Sequence, residues 1–285
     1  MQIHWFPGHM NKARRQIKEV MPKIDMVIEV LDARLPDSST NPLLTELRGQ
    51  KPCLKLLSKS DLADAEITQQ WQEWLKQEVN VDTLAITTEK LALAKQIPNL
   101  AKAMVPHRGK PGKPVRAMIM GIPNVGKSTL INTLNGKKIA SVGNEPAVTK
   151  RQQKVMVDDE FQLMDTPGIM SPSPKSELAG YRLAASGAIR DTAMEYEDVA
   201  MFAADYMLQR YPDMLVERFN IKELPDSSYE FLGQVAAKRG CLKKGGFDLH
   251  RVSEIFLKEL RDGKLGRISL EEPGKEYPYR DLLDE

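Results

Sequence analysis

Several features that would assign this 285-residue chain to a special class of protein are scarce or missing. It has only two cysteines, Cys53 and Cys241, which are too few for a disulfide framework and favour a reducing compartment. No uninterrupted apolar run has the length of a membrane span, and no apolar stretch follows the first charges as in a secretion signal. The formal net charge is only +2, so any affinity for nucleic acid must come from local clusters. These absences predict a cytoplasmic protein that does not enter a membrane.

The composition that remains is that of a folded globular protein, with 41% hydrophobic and 28% charged residues. The length allows about two domains. In the first part of the chain, apolar runs alternate with helical periodicity, which predicts right-handed βαβ units and a mostly parallel sheet. The predicted strands are 25–31, 52–57, 81–86, 115–120, 154–157 and 161–164, and the predicted helices begin at residue 10 and span 42–47, 63–78, 91–104 and 128–134.

The strand pattern ends near Pro174, and helical periodicity alone follows. The predicted helices of this part are 178–191, 198–211, 215–219, 229–239 and 248–262. The sequence therefore predicts an α/β domain over 1–174, including the basic N-terminal segment, and a smaller all-α domain over 175–285.

The segment Gly121–Ser128 is a full match to G-x-x-x-x-G-K-[ST], the phosphate-binding loop of nucleoside triphosphatases. A predicted strand enters it and a predicted helix leaves it, which is the context that a phosphate loop requires. Lys127 is then expected between the β- and γ-phosphates, and the hydroxyl of Ser128 on Mg²⁺. The alternative is an ordinary strand–turn–helix junction.

A second motif, Ser58-Lys59-Ser60-Asp61, follows a predicted strand and resembles the N-K-x-D motif that recognises guanine. The Asp61 carboxylate can accept hydrogen bonds from N1–H and the 2-amino group of guanine, and the Lys59 stem can lie along the base. Ser58 stands where the motif has asparagine, and one hydroxyl cannot replace both ends of an amide, so reduced affinity with retained guanine preference is expected. The alternative is that Asp61 is only the N-cap of the next helix.

A third motif, Asp165-Thr166-Pro167-Gly168, fits D-x-x-G at a strand end. Asp165 is expected to reach Mg²⁺ through water, and the N–H of Gly168 to contact the γ-phosphate. Thr149, between the phosphate loop and this motif, can complete the Mg²⁺ shell when a γ-phosphate is present. The order of phosphate loop, threonine and D-x-x-G predicts a GTPase.

The guanine motif and the Thr87-Thr88 segment precede the phosphate loop, whereas in Ras-type GTPases they follow the D-x-x-G, so the order is circularly permuted. This order, together with three short motifs, resembles the YlqF/RbgA family of ribosome-biogenesis GTPases over essentially the whole chain. The motifs are Trp5-Phe6-Pro7-Gly8-His9-Met10, Asp32-Ala33-Arg34 with Pro36, and Gly263-Lys264-Leu265-Gly266. The fold class expected is a circularly permuted Ras-like P-loop GTPase domain followed by a smaller all-α domain.

The resemblance implies a GTPase that acts late in assembly of the large ribosomal subunit and contacts ribosomal RNA with its C-terminal domain. Ile169 stands where Ras-type enzymes have a glutamine that orients water, and the resemblance implies that His9 takes this role. His9 can equally be a packed or RNA-contacting residue. Asn124 resembles the asparagine of GTPases that use K⁺ in place of an arginine finger.

The expected site residues fall into three groups. The catalytic group is His9, Lys127, Thr149 and Gly168, and the metal group is Ser128, Thr149 and Asp165. The nucleotide-binding group is Ser58, Lys59, Asp61, Thr87, Asn124, Val125, Gly126, Lys127, Ser128, Thr129 and Gly168. The expected ligands are GTP or GDP and Mg²⁺, with K⁺ as a further candidate.

Between residues 238 and 267, Lys and Arg outnumber Asp and Glu nine to four. Such an excess suits a phosphate backbone, although many basic faces are merely solvated. The expected partners are the precursor of the large ribosomal subunit and its rRNA, with no DNA, no membrane and a monomeric chain. Two alternatives stay open, namely an RNA-binding scaffold with a vestigial nucleotide site and an ATPase.

The permuted order also predicts a coupling between the two domains. The chain leaves Gly168 and enters the helical domain within a few residues, so release of the γ-phosphate is expected to act on that domain.

Overall fold

A computed structural model describes residues 7–87, 91–136, 153–166, 174–189, 195–277 and 279. Its centre is a six-stranded sheet in the order β3-β2-β1-β4-β6-β5, in which β5 alone is antiparallel to its neighbour. The strands are β1 (Met26–Asp32), β2 (Cys53–Ser58), β3 (Val81–Ala85), β4 (Val115–Met120), β5 (Gln153–Asp158) and β6 (Phe161–Asp165). The predicted mostly parallel sheet is confirmed, with strand ends within two residues of the predicted ones.

Every residue of β1 and β2 is buried, as expected of parallel strands that helices cover on both faces. The antiparallel hairpin of β5 and β6 closes at Asp158, whose carboxylate accepts a hydrogen bond from the N–H of Glu160 (2.8 Å). The strand that enters the phosphate loop, β4, therefore lies at the centre of the sheet, between β1 and β6.

Seven α-helices and one short 3-10 helix (Met21–Lys23) surround this sheet among the described residues up to 136. The α-helices are α1 (Pro7–Val20), α2 (Pro36–Ser39), α3 (Pro42–Arg48), α4 (Ala65–Leu75), α5 (Leu91–Ala94), α6 (Ile97–Met104) and α7 (Lys127–Asn135). The prediction of a single helix over 91–104 was wrong, because the structure has two helices, α5 and α6, in this range. Pro98 has no N–H to donate to the carbonyl of residue 94, so the helix is interrupted there.

The helical part contains α8 (Glu177–Ala185), α9 (Tyr196–Arg210), α10 (Pro212–Phe219), α11 (Ser228–Arg239) and α12 (Leu249–Arg261). The sequence predicted only helices here, but the structure also has a two-stranded ribbon, β7 (Leu242–Lys243) and β8 (Gly246–Phe247), which joins α11 to α12. Gly245 and Gly246 adopt φ values of +86° and +155°, which permit the tight turn that the pattern of side chains did not indicate.

The helical part packs against the α/β part, where α8 contacts α2. Met26 and Val115 of the sheet share one buried cluster with Phe202 and Phe256 of the helices. After α12 the chain returns towards the sheet, where the indole N–H of Trp71 donates to the carbonyl of residue 271 (3.2 Å). The boundary at 174 stays a prediction. No helix among the described residues is long and apolar enough to cross a membrane.

Candidate nucleotide-binding site

The predicted motifs lie at one edge of the sheet because the strands that carry them are parallel neighbours. Asp32 at the end of β1 is paired with Ser58 at the end of β2, and Ile119 near the end of β4 with Asp165 at the end of β6. Ligands of open α/β sheets bind at this carboxyl edge. The fold thus brings together segments that are far apart in the permuted sequence.

The backbone of the phosphate loop requires its first glycine. Gly121 has φ +151°, and a Cβ atom there would lie 2.5 Å from the carbonyl oxygen of Val30. Asn124 and Gly126 adopt left-handed φ values of +59° and +96°, and Gly126 is the N-cap of α7. The loop therefore turns sharply into the N-terminus of a helix, which is the arrangement that binds phosphate.

Lys127 is buried in this loop, with 7% of its surface exposed. Its ammonium group donates to the carbonyl oxygens of Gly121 (3.1 Å) and Ile122 (2.7 Å). Burial lowers the pKa of Lys127 to about 8, and the negative charge of Asp165 opposes this shift. An anion that entered the loop would favour the charged form of Lys127.

The oxygen groups needed for Mg²⁺ are present beside the loop. Ser128 and Thr129 are partly exposed in the first turn of α7, and Asp165 is almost fully buried next to Lys127. No cluster of three or more His, Cys, Asp or Glu side chains with metal-binding geometry occurs among the described residues. This donor set fits Mg²⁺, which takes one or two protein oxygens and completes its shell with phosphates and water.

Ser58 connects the guanine motif to the phosphate loop. Its hydroxyl lies 2.8 Å from the carbonyl oxygen of Leu31 and 2.6 Å from that of Val125, and its single proton can serve either one. The serine hydroxyl therefore links β2 to the phosphate loop, as the asparagine amide of the N-K-x-D motif was expected to do, but with a single donor.

The alternative interpretation of Asp61 as a helix cap is wrong. The N-cap of α4 is Asp64, whose carboxylate accepts hydrogen bonds from the N–H groups of Glu66 and Ile67. One carboxylate oxygen of Asp61 is buried without a hydrogen-bond partner among the described residues. A buried acceptor of this kind calls for a donor, and guanine supplies two.

Lys59 and the segment at Thr87 lie beside Asp61. Lys59 has φ +55° and donates to a carboxylate oxygen of Asp32 (2.9 Å). Thr87 is partly exposed just after β3, and the N–H of Ser60 donates to the carbonyl of Ile86 (3.1 Å), which joins this segment to the guanine motif.

The contacts of Asp32 and Arg34 with each other and with Lys59 were not predicted from the sequence. Arg34 donates two hydrogen bonds to the Asp32 carboxylate (2.9 and 2.8 Å), and a third to the carbonyl of Ser186 after α8 (3.1 Å). Burial alone would raise the pKa of Asp32, but the charges of Arg34 and Lys59 outweigh it and hold the pKa well below its usual value. The pair thus orients Lys59, and the signal that could have found it was a charged Asp-x-Arg directly after a buried strand.

Three expected catalytic residues cannot be placed. Thr149 and Gly168 lie outside the described residues, and of His9 only the backbone, in the first turn of α1, is described. Asn124 belongs to the phosphate loop, where its side-chain N–H donates to the carbonyl of Gly187 (3.2 Å).

This chain is similar to several known proteins. A family profile described as "50S ribosome-binding GTPase" matches residues 116–227, so it begins with β4 and leaves the guanine motif ahead of it. Ribosome biogenesis GTPase A of Priestia megaterium is 42% identical over 284 residues, covering 96% of this chain and 98% of the relative. The Bacillus cereus protein of the same name is 44% identical, covering 96% of this chain and 95% of the relative.

A solved structure has the same fold. The one described as "Crystal structure of GNP-bound YlqF from T. maritima" superposes with a TM-score of 0.65 at 28% identity. The match covers 93% of this chain and 100% of that chain. The arrangement is thus that of a circularly permuted GTPase.

Proposed function

Because this chain belongs to the ribosome biogenesis GTPase A family, it is a GTP hydrolase of ribosome assembly, and we propose that it acts late on the large ribosomal subunit precursor. One observation supports guanine-nucleotide binding most directly. A buried carboxylate oxygen of Asp61 has no hydrogen-bond partner among the described residues, and it lies at the same sheet edge as the phosphate loop. One edge of the sheet thus offers a base acceptor and a phosphate cradle.

In the proposed complex each described residue has a separate task. The N–H groups around Gly126 and the Lys127 ammonium hold the β- and γ-phosphates, and Asp61 accepts from the guanine edge. Mg²⁺, which neutralises phosphate charge when bound, would be held by the Ser128 hydroxyl and through water by Asp165. Thr149 and Gly168 stay predicted contacts of Mg²⁺ and the γ-phosphate.

The water that attacks the γ-phosphate must be oriented by a group other than the side chain that follows Gly168. Ile169 can neither donate nor accept a hydrogen bond, so we assign the orientation of water to His9. Asn124 is proposed as a K⁺ ligand, because it lies in the phosphate loop and resembles the asparagine of GTPases that use K⁺ in place of an arginine finger. Equal turnover in Na⁺ and K⁺ buffers would remove K⁺ from the proposal.

The proposed rRNA contact is a basic surface of exposed side chains on the helical part. Its members lie on α11, on the ribbon β7–β8 and on α12, and they are Lys238, Lys243, Lys244, Arg251 and Lys258. Three other arginines of the basic segment have internal partners. Arg239 bonds Glu259, Arg261 bonds the end of α8, and Arg267 bonds the guanine motif. The proposed surface therefore contains fewer basic side chains than the nine that the sequence suggested.

A cytoplasmic location and a monomeric chain without affinity for DNA complete the proposal. Neither alternative function is favoured. A scaffold with a vestigial site does not account for a loop in which Gly121 cannot be replaced and Lys127 is buried beside Asp165.

Competition between nucleotides tests this assignment most simply. Labelled GTP bound to the protein should be displaced by GDP but not by ATP at the same concentration, because adenine offers no N1–H and no 2-amino donor to Asp61. Equal displacement by ATP would mean that Asp61 does not bind the base.

A further inference from the structure

The segment 263–270, which follows α12 and which we name the C-terminal brace, lies directly on the guanine motif and the turn after it. Arg267 donates from Nε to the carbonyl of Ala63 (2.8 Å) and from Nη2 to the carbonyl of Ser60 (2.9 Å). The N–H of Ile268 donates to the carbonyl of Leu62 (2.8 Å). The brace therefore bonds the peptide groups on both sides of Asp61.

Two further contacts fix the brace itself. Gly263 has φ +71°, and a Cβ atom there would lie 2.7 Å from a methyl carbon of Leu62. At the other end, the N–H of Leu270 donates to the carbonyl of Arg34 (2.7 Å), directly beside the pair that orients Lys59. The brace thus spans the turn after β2 and the turn after β1.

The guanine motif needs such support because it lacks asparagine at its first position. The Ser58 hydroxyl has one proton and reaches only Leu31 and Val125, which lie behind the motif. Nothing from Ser58 extends forward to Asp61 in the described contacts. A carboxylate selects a base only if it is held in place, and supporting hydrogen bonds are the usual means.

We propose that Arg267 is a positioning residue for base recognition, and that the C-terminal brace holds Asp61 in the orientation that distinguishes guanine from other bases. This inference rests on the proposed role of Asp61. It makes the base specificity of the α/β domain depend on a residue that follows the last helix.

The alternative role for Arg267, an exposed arginine in a basic segment, is a contact with an RNA phosphate. The geometry favours the internal role, because Nε and Nη2 are both engaged by carbonyl oxygens at short distances. The two roles predict different losses in a variant, so one set of measurements separates them.

The test compares Arg267→Ala and Arg267→Lys with the control Lys264→Ala. Lys264 is three residues away, exposed and paired with Asp262 (3.1 Å), so its removal gives the same change in charge. Affinities for GDP, inosine diphosphate and ADP are measured by competition, binding to large ribosomal subunits by co-sedimentation, and thermal unfolding is followed for each variant. Inosine diphosphate lacks the 2-amino group and so measures one of the two hydrogen bonds to Asp61.

We expect the wild type to prefer GDP over inosine diphosphate about tenfold, and Arg267→Ala to lose most of this preference, mainly through weaker GDP binding. Arg267→Lys should restore part of it, since an ammonium group can bond one of the two carbonyls. Lys264→Ala should keep wild-type values, and all variants should unfold cooperatively.

An unchanged preference in Arg267→Ala would overturn the inference, whether GDP affinity is unaltered or all nucleotides lose affinity equally. Loss of large-subunit binding with unchanged preference would assign Arg267 to RNA instead. If the wild type itself fails to prefer GDP over inosine diphosphate and ADP, the proposed role of Asp61 fails and this inference with it.

Discussion

Asp61 is the residue on which nucleotide identity depends in this account. Its carboxylate should accept from both N1–H and the 2-amino group of guanine, whereas an asparagine would present one acceptor and one donor. Asp61→Asn should weaken GDP binding about 100-fold, since hydrogen bonds to a charged group contribute about 1.5–3 kcal/mol each. The donor of the new amide should make xanthosine diphosphate, with a carbonyl at C2, the better ligand.

The matched control for this prediction is Asp64→Asn. Asparagine caps helices as well as aspartate does, so the start of α4 should be preserved and GDP affinity should not change. Isothermal titration with GDP and xanthosine diphosphate measures both variants. Wild-type GDP affinity in Asp61→Asn would contradict the assignment.

His9 carries the second prediction at this scale. If it orients the attacking water, His9→Ala should lower GTP turnover stimulated by large ribosomal subunits about 100-fold and leave GTP affinity unchanged. His107→Ala removes an exposed histidine from the linker before β4 and serves as the control. Stimulated turnover that survives in His9→Ala would exclude His9 from the reaction.

Among the helices, Glu259 of α12 holds three elements together. Its carboxylate accepts hydrogen bonds from Arg239 of α11 (2.8 and 3.0 Å) and from Arg218 of α10 (2.8 Å). Burial opposes ionisation, but the two arginines outweigh it and hold the pKa of Glu259 below its usual value of 4.5. The ionised carboxylate therefore stabilises the packing of α10, α11 and α12.

This pairing predicts a pH-dependent loss of stability. Because the folded pKa of Glu259 is depressed, its contribution is present above pH 4.5 and is lost as the pH falls through the folded value. Glu259→Gln should lower the free energy of unfolding by about 1–3 kcal/mol near pH 7, and less below about pH 4. Urea denaturation at both pH values measures this, with the exposed Glu254→Gln as control; an equal loss at both would contradict it.

The sheet was predictable from sequence because local patterns determine it. Buried parallel strands need continuous apolar runs, and the motifs at their ends share one edge for purely topological reasons. The positions of the motifs were predictable to the same extent, because Ser58 and Asp165 lie at the strand ends where the motifs indicated, and the roles of the site residues stay predictions.

What could not be predicted depends on contacts between distant segments. The hydrogen bonds of Arg34 to residue 186 and of Arg267 to residues 60 and 63 join parts of the chain about 150 to 200 residues apart. Basic composition suggested that Arg261 and Arg267 face RNA, and only tertiary packing shows their internal partners. The ribbon β7–β8 was not predicted because strands of two residues are too short to show an alternating apolar pattern.

At the scale of the whole molecule, the end of α8 is where the nucleotide site meets the helical part. Asn124 of the phosphate loop donates to the carbonyl of residue 187 (3.2 Å), and Arg34 to that of residue 186 (3.1 Å). Arg261 of α12 donates to that of residue 184 (2.8 Å). These hydrogen bonds connect the phosphate loop and the turn after β1 to the helical part, and the effect of γ-phosphate release on that part stays a prediction.

The proposed basic surface predicts how the protein binds the ribosome. Lys243→Ala/Lys244→Ala should reduce co-sedimentation with large ribosomal subunits and lower the magnitude of the salt slope by about one to two, since each phosphate contact releases counterions. Lys76→Ala/Lys95→Ala removes the same charge from the α/β domain and should bind like the wild type. Equal losses in both pairs would show that the ribbon has no special role.

The most direct test of the whole account is the rate of GTP hydrolysis with and without large ribosomal subunits, at low and high salt. The account predicts slow turnover by the protein alone and turnover at least about tenfold faster with large subunits, a stimulation that weakens as salt screens the basic surface. Small subunits should give no such increase. Identical rates with and without large subunits, in low salt where binding is strongest, would contradict it.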